Sequence, residues 1–353
     1  ADDLRKLAAP APVASPEAES AAHLEFARKR MEFYIREDAA VLLEPGTGSH
    51  GTVLVDDGRL RDDAAFTGAG FYPWPDAVAT QVVVAAEQYN RIARTLDRCV
   101  PVTLEMNIAN AYHYVDPDSF NIIAEIPGSD PPSQVVMLGA HFDSRSAGTG
   151  AANNGAGPAV VLEAMRILKA TGLRMRRTVR VALWTGSEQG LLGSRAYVTH
   201  HFADPGTMLP KPEHQGMSAY FNVDGGSGAI RGLYLHGNEA ARPVLERWMA
   251  PFKESGKTTL SPQAAERSDQ FAFNAVGLPG LHFIQDPLDE EARRTNMDVF
   301  ERLETSSLIQ NAIIVAAFVY HAANREEPLP RKPLPAPDAR WAFPQLPRPC
   351  PAL

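Results

Sequence analysis

Cysteine is nearly absent from this chain: of 353 residues, only Cys99 and Cys350 carry a thiol. Two cysteines cannot build the dense disulfide framework that holds small secreted domains together, so a hydrophobic core has to do so. They leave open either one bridge to the C-terminal tail or two inert thiols. No apolar run reaches the roughly 18 residues that a transmembrane helix needs. Positive charge is in deficit, with 34 Lys and Arg against 42 Asp and Glu and a net charge of −8. With a pI near 5.7, the chain has no basic footprint for nucleic acid. No Asn-x-Ser/Thr sequon occurs, so glycan attachment offers no guide to topology. The first twenty residues, ADDLRKLAAPAPVASPEAES, lack an apolar stretch, so they are not themselves a signal peptide.

What the chain does have is a 44% hydrophobic composition with 26 Gly and 29 Pro, the profile of one large globular domain plus a smaller one or an insertion. Residues 136–145, VMLGAHFDSR, form an apolar strand that delivers His141 and Asp143 at its C-terminal end. A Gly/Asn loop follows over 148–157, then a helical pattern over 158–170. A second strand, 178–184, ends at Ser187-Glu188 and leads into a helix from about Leu191, and a third, 219–223, ends at Asp224. Strand, polar edge residue and helix, repeated three times, predict an α/β fold with a mostly parallel or mixed sheet flanked by helices. In such sheets ligands sit outside the strand ends, so the three ends mark one candidate site.

Several other motifs fail on context. Residues 46–51 fit G-x-G-x-x-G, but a strand-like TVLV follows where a dinucleotide site needs a helix. Ser187 has no G-x-S-x-G elbow around it. His200-His201 fall at a helix end, where imidazolium suits the dipole. His282, inside the apolar strand 281–284, reads as a core histidine and is the one substitute metal ligand to check.

Taken together, GAHFDS at 139–144, WTGSEQGLLGS at 184–194, YFNVDGG at 220–226, SDQFAF at 268–273 and TNMDVFERL at 295–303 resemble the two-zinc aminopeptidases of peptidase family M28. The resemblance implies their zinc-aminopeptidase sandwich, two zinc ions sharing a bridging Asp, one further carboxylate and one His on each ion, and a Glu as general base. Carried over residue by residue, His141 matches the first His ligand and Asp143 the carboxylate that orients it. Asp224 matches one carboxylate ligand and Glu188 another. The remaining positions depart from the pattern. Asn153 stands where the bridging Asp belongs, Ser187 where the base belongs, and Arg294 where the last His belongs, with Arg293 beside it. Gln270, after Asp269, replaces a His that is not a ligand.

These departures remove three separate parts of the mechanism. An amide does not bridge two dications as a carboxylate does, a guanidinium stays protonated, and losing a general base alone costs roughly 10²- to 10⁴-fold in rate. The sequence therefore predicts a degenerate active site with no catalytic residue assigned, and His141, Glu188 and Asp224 as vestigial ligands. Arg293, Gln270 and Asp269 line the pocket. It also predicts lost two-metal hydrolysis, a binding or structural role, and no cofactor. The alternative is a metallohydrolase using a single zinc on His141 and Asp224. Arg293 or Arg294 is expected to supply the missing positive charge, unless their segment, about two residues shorter than in relatives, is a rearranged surface loop.

Residues 1–112 resemble a smaller protease-associated β-rich domain, clipped at its start, with its connection. Residues 113–325 form the aminopeptidase-like domain and 326–353 a Pro-rich tail that runs extended, anchored through Trp341 and Phe343. The upstream elements found in relatives imply a partner, either a second polypeptide or a cleaved N-terminal segment. A peptide or an acidic small molecule is the expected ligand, and the resemblance implies a secreted or periplasmic protein with no membrane span.

Overall fold

The computed structural model describes residues 26, 29–46, 48–54, 80–109, 111, 118–129, 134–144, 147–256, 258–265, 268–288 and 292–338. Trp341, Phe343 and Cys350 lie outside them.

At the centre is β4, Val135–His141, every residue of which is buried. An unbroken apolar strand of this kind belongs inside a sheet covered on both faces. Its alternation sorts the two cores. Val136, Leu138 and Ala140 join Val160, Val161, Phe221, Phe283 and Phe318 on one face, while Val135 and Met137 join Trp184, Tyr220 and Phe273 on the other, as the two-residue strand period requires.

Beside β4, β5 (Thr178–Trp184) and β6 (Met217–Asn222) both run parallel to it. The sheet continues from β6 through β9 (Gly280–Gln285) to β7 (Ile230–Tyr234) and β8 (Thr259–Ser261). At the other end β3 (Ile122–Ile126) pairs antiparallel with β5. The seven-stranded order is therefore β8-β7-β9-β6-β4-β5-β3. The chain leaves β4 for β5 on one side and then returns to β6 on the other, so the sheet's switch point, where a crevice opens, lies between β4 and β6. The mostly parallel α/β sheet expected from sequence is present.

Helix α2 (Ala156–Ala170) packs against β4 and, with α3 (Leu192–His201) and α4 (Arg242–Met249) intervening in the chain, against the C-terminal helix α5 (Thr305–Asn324). By length and composition α5 is apolar enough to span a membrane. Here Ile314, Val315, Phe318 and Val319 are buried against the sheet and α2, the place of a core helix.

Ahead of the sheet, residues 29–36 are helical, β1 (Leu42–Pro45) pairs parallel with β2 (Gln81–Val84), and α1 (Ala86–Leu96) follows. The strand expected at 51–55 is absent at 52–54. Instead of a ladder, Val53 makes two bonds to a single residue, donating its N–H to Asn296 Oδ1 at 2.8 Å and accepting from Asn296 N at 3.2 Å. This tethers the N-terminal unit to the segment at 292–298.

From 328 to 338 the chain has no helix or strand and is held against the domain. Leu329 is buried, Lys332 Nζ donates to the His236 carbonyl at 2.7 Å, and Asn238 Nδ2 donates to the Pro330 carbonyl at 2.7 Å. Arg177, almost wholly buried, donates to the carbonyls of Ala322, Arg325 and Glu326 and to Gln134 Oε1. A buried guanidinium that answers the orphan carbonyls of a helix end locks α5 to the start of β5. Arg177→Met should lower stability by about 2–4 kcal/mol, because those carbonyls then lose their donors, measured as a fall in the urea midpoint. A change below about 0.5 kcal/mol would contradict this role.

Candidate functional site

Three strand ends build the site. His141 is the last residue of β4, Asp224 lies two residues past β6, and Ser187-Glu188 follow β5 after Gly186. His141 is 3% exposed and Asp224 9%, and His141 Nε2 stands 3.2 Å from Asp224 Oδ1. The ring's other nitrogen, Nδ1, lies 2.9 Å from the Asp143 carbonyl and 3.5 Å from its carboxylate. That carboxylate also accepts the backbone N–H groups of Ser187 at 3.2 Å and Glu188 at 3.0 Å. Asp143 therefore orients the imidazole and also fixes the turn that presents Glu188.

Between β4 and α2 the loop tightens into a turn over Ala151–Gly155, with Asn153 and Asn154 buried. Asn154 Nδ2 donates to the Val223 carbonyl at 3.1 Å and points to the His141 carbonyl at 3.4 Å, joining the ends of β4 and β6. A Cβ at Gly157 would lie 2.6 Å from that amide nitrogen and from the Val223 carbonyl, so the helix can start this close only with glycine there. Asp298 holds the turn from the far side, accepting from Ala152 N at 2.6 Å and Asn153 N at 3.0 Å. Asp298 is a site residue that the sequence motifs did not assign. Its signal is that it is a carboxylate with no counter-charge beside it in sequence.

Asn153 then reaches into the crevice. Its Nδ2 donates to Glu188 Oε1, and its Oδ1 accepts from Arg293 at 3.1 Å. The same Arg293 nitrogen donates to Asp224 Oδ1 at 3.0 Å and to the Asp224 carbonyl at 2.8 Å. Arg294 Nε lies 3.9 Å from Glu188 Oε1. Arg294 has a left-handed backbone, φ +65°, an uncommon conformation for a long side chain, and through it two consecutive arginines face the same crevice. The segment is therefore no displaced surface loop: Arg293, 13% exposed at its side chain, carries the closer contact, and Arg294 the looser one.

The electrostatics follow from burial and pairing. Burial opposes charge on His141, but the carboxylates of Asp224 and Asp143 outweigh it and hold the imidazole's pKa well above its ordinary value. Burial would raise Asp224, yet His141 and Arg293 pull it well below the carboxylate range. Ser187 donates its hydroxyl at 2.9 Å to both oxygens of Asp269, a fully buried carboxyl that burial pushes up to about 6. At the general-base position there is accordingly a hydroxyl whose proton is already committed. Asp269 sits behind Ser187 with no exposure of its own.

Gln270 and His282 form a neighbouring buried pair rather than a wall of the crevice. His282 Nδ1 is 3.3 Å from Gln270 Oε1 and 3.1 Å from Asn222 Nδ2, and burial pulls the imidazole down to about 4. His282 thus packs in the core among amides, as the sequence suggested, near enough to Asp224 and Arg293 for their charges to act on it. Asn222, which sequence reading passed over, ties this pair to Ser268 Oγ at 2.9 Å and to Tyr220 Oη at 2.7 Å.

The family model described as Peptidase family M28 matches residues 121–319. That is more than half of the chain, and the chain belongs to this family. Carboxypeptidase Q of Bos taurus is 32% identical over 247 residues, 70% of this chain and 49% of the relative, so the chain spans about half the length of the curated relatives it matches. A peptidase M28 precursor from Shewanella amazonensis shares the fold at a TM-score of 0.62, with 24% identity over 84% of this chain and 63% of that one. A zinc aminopeptidase from Bacillus subtilis is 27% identical over 58% of this chain and 50% of that one, with a TM-score of 0.47.

Zinc is the group of this family, and that overturns the expectation that the chain has no cofactor; the error came from counting lost ligands as lost affinity. Two zinc ions do not fit these residues. Among the described residues no group of three or more His, Cys, Asp or Glu side chains converges, Asn153 supplies no bridging charge, and Arg294 cannot ligate. One ion fits in part. Neighbouring corners of a tetrahedral zinc with ligands at about 2.0–2.1 Å lie about 3.3 Å apart, close to the 3.2 Å between His141 Nε2 and Asp224 Oδ1. The guanidinium of Arg293 lies against that pair.

Arg293→Met should therefore cost about 2–4 kcal/mol in urea unfolding without zinc. This is somewhat under the full cost of orphaning a buried charge, because His141 still faces Asp224. Added zinc should raise the variant's midpoint more than that of the unsubstituted protein, and equal shifts in the two would contradict the placement. At Asp269 the raised pKa makes ionisation unfavourable in the fold. Its contribution is full below the unfolded carboxylate pKa and lost as pH rises through about 6. Asp269→Asn should thus gain on the unsubstituted protein, by of order 2–3 kcal/mol, between about pH 4 and pH 8. A difference independent of pH would contradict that assignment.

Proposed function

We propose that this M28 chain has lost two-metal peptide hydrolysis and acts as a binding or structural subunit, holding one zinc ion on His141 and Asp224. The observation that carries the reading is the Arg293 guanidinium bonded to both Asp224 Oδ1 and Asn153 Oδ1. A fixed cation lies against the carboxylate that a metal would use, and the bridging position holds an amide. Supporting it, Ser187 already donates its proton to Asp269 and takes none from water near neutral pH.

Any zinc on His141 and Asp224 would act as a Lewis acid there. This chain's own residues would position a ligand around it. Asp143 orients His141, Asp298 and Asn154 hold the turn that carries Asn153, and Arg293 and Arg294 favour a carboxylate, either a peptide end or an acidic small molecule. Residues 1–112 serve in this reading as a protease-associated-like unit, and the chain works outside the cytoplasm, beside a second polypeptide. The alternative, a metallohydrolase on one zinc, is favoured by the 3.2 Å spacing of His141 and Asp224.

One experiment separates the two. With zinc supplied, the protein is assayed on aminoacyl and dipeptide substrates beside the triple variant Asn153→Asp, Ser187→Glu, Arg294→His. The proposal predicts no hydrolysis by the unsubstituted protein above about 10⁻⁴ of an ordinary peptidase rate, from the lost base and lost charge together, and a gain of at least 10²-fold in the variant. Hydrolysis by the unsubstituted protein that disappears in His141→Ala would establish the single-zinc enzyme instead.

A further inference from the structure

Between Asp224 and β7 the chain has to cross another strand. β9 lies between β6 and β7, parallel to the first and antiparallel to the second. Residues 225–229 therefore pass over the C-terminal end of β9 before β7 begins at Ile230. The residue at that end is the half-buried Gln285, and its amide is turned onto the crossing. Its Oε1 accepts from Gly225 N at 2.9 Å, while its Nε2 donates to the carbonyls of Gly226 at 2.7 Å and Gly228 at 3.0 Å. One amide thus answers a donor and two acceptors within four consecutive residues, which neither a carboxylate nor an apolar side chain of that length can do. The fit is close: a Cβ at Gly225 would stand 2.6 Å from Gln285 Oε1 and 2.8 Å from its Cβ.

The far end of the crossing is fixed as well. Asn311 of α5 accepts from Ile230 N at 2.7 Å and donates to the Gly228 carbonyl at 2.8 Å, and Asp286 N donates to the Ala229 carbonyl at 2.9 Å. Asp224 accordingly sits between two anchored neighbours. Before it, Val223 N bonds the Gly139 carbonyl of β4 at 3.0 Å; after it, Gly225 N bonds Gln285. The carboxylate's own contacts are to His141 Nε2 and Arg293, and an arriving zinc ion disturbs both. The bonds from Gln285 to the backbone are independent of the ion.

We infer that Gln285 is a positioning residue of the zinc site. Without touching the ion, it clamps residues 225–228 and so holds the Asp224 carboxylate at the spacing from His141 Nε2 that suits zinc. The inference rests on the reading of His141 and Asp224 as a zinc pair, and it adds to that pair a neutral residue outside every motif that pointed to the site. Removing a group that orients a metal ligand typically weakens metal affinity by about 10- to 100-fold.

The test is the dissociation constant of zinc for the full chain at pH 7, read by competition with a chromogenic chelator. It compares the unsubstituted protein with Gln285→Met, Gln285→Ala, Arg177→Met and His141→Ala, each checked for folding by circular dichroism. Methionine keeps the length of the side chain without the amide, and alanine opens the half-buried space to water. Arg177 precedes β5, at the opposite edge of the sheet from the site, so Arg177→Met reports on lost stability alone. The expected result is a constant raised about 10- to 100-fold in the Gln285 variants, unchanged within about 2-fold in Arg177→Met, and zinc binding lost in His141→Ala. Equal affinity in the Gln285 variants and the unsubstituted protein overturns the inference and leaves the zinc pair standing. An equal loss in Arg177→Met overturns it by assigning the effect to stability. Zinc absent from the unsubstituted protein, or held as tightly by His141→Ala, overturns the zinc pair itself and the inference with it.

Discussion

Two buried carboxylates facing one crevice need positive charge, and Arg293 stands 3.0 Å from Asp224. The rest of the site is arranged around that need. Asp224 gathers His141 Nε2 at 3.2 Å and Arg293 at 3.0 Å, and Asn153 passes the contact on by bonding Arg293 through its oxygen and Glu188 through its nitrogen. An amide at this position can face a guanidinium and a carboxylate at once, because it offers an acceptor to one and a donor to the other. A carboxylate there would repel Glu188 unless metal intervened. Asn153 and Arg293 are thus mutually consistent.

That arrangement depends on the frame beneath it. A parallel sheet whose chain reverses between β4 and β6 brings His141, Glu188 and Asp224 to one edge from three separate strands, and Asp143, Asn154 and Asp298 convert those strand ends into fixed positions by bonding backbone rather than ligand. Asn296 extends the control outwards: it pairs with Val53 on one side and lies two residues from Arg294 on the other. The N-terminal unit and the arginine segment are therefore held together through Asn296.

Much of this was legible in the sequence because it is periodic or local. The continuous apolar run into His141 reports a strand covered on both faces, and the polar residue ending each strand reports the switch-point edge. The quoted motifs then identify which ligand each residue replaces. What was not legible is what depends on direction. Whether Arg293 or Arg294 makes the inner contact is decided by a left-handed backbone at Arg294, which no composition signals. Asp298 and Asn222 act through buried geometry between distant segments, 145 residues apart for Asp298 and Asn153. The strand pattern at 51–55 failed because Val53 found a single asparagine rather than a neighbouring strand. The expectation of no cofactor failed for another reason: missing ligands argue against a second zinc far more strongly than against a first, since His141 and Asp224 still stand at zinc-like spacing.

The central claim is that Arg293 and Asn153 occupy the space of a two-zinc centre and leave room for no more than one ion. The most direct measurement is anomalous diffraction at the zinc absorption edge from crystals grown with zinc. The account predicts one peak, within ligand distance of His141 Nε2 and Asp224, with Asn153 and Glu188 still bonded to each other. Two peaks about 3.5–4 Å apart, the spacing of a working two-metal site, would contradict it.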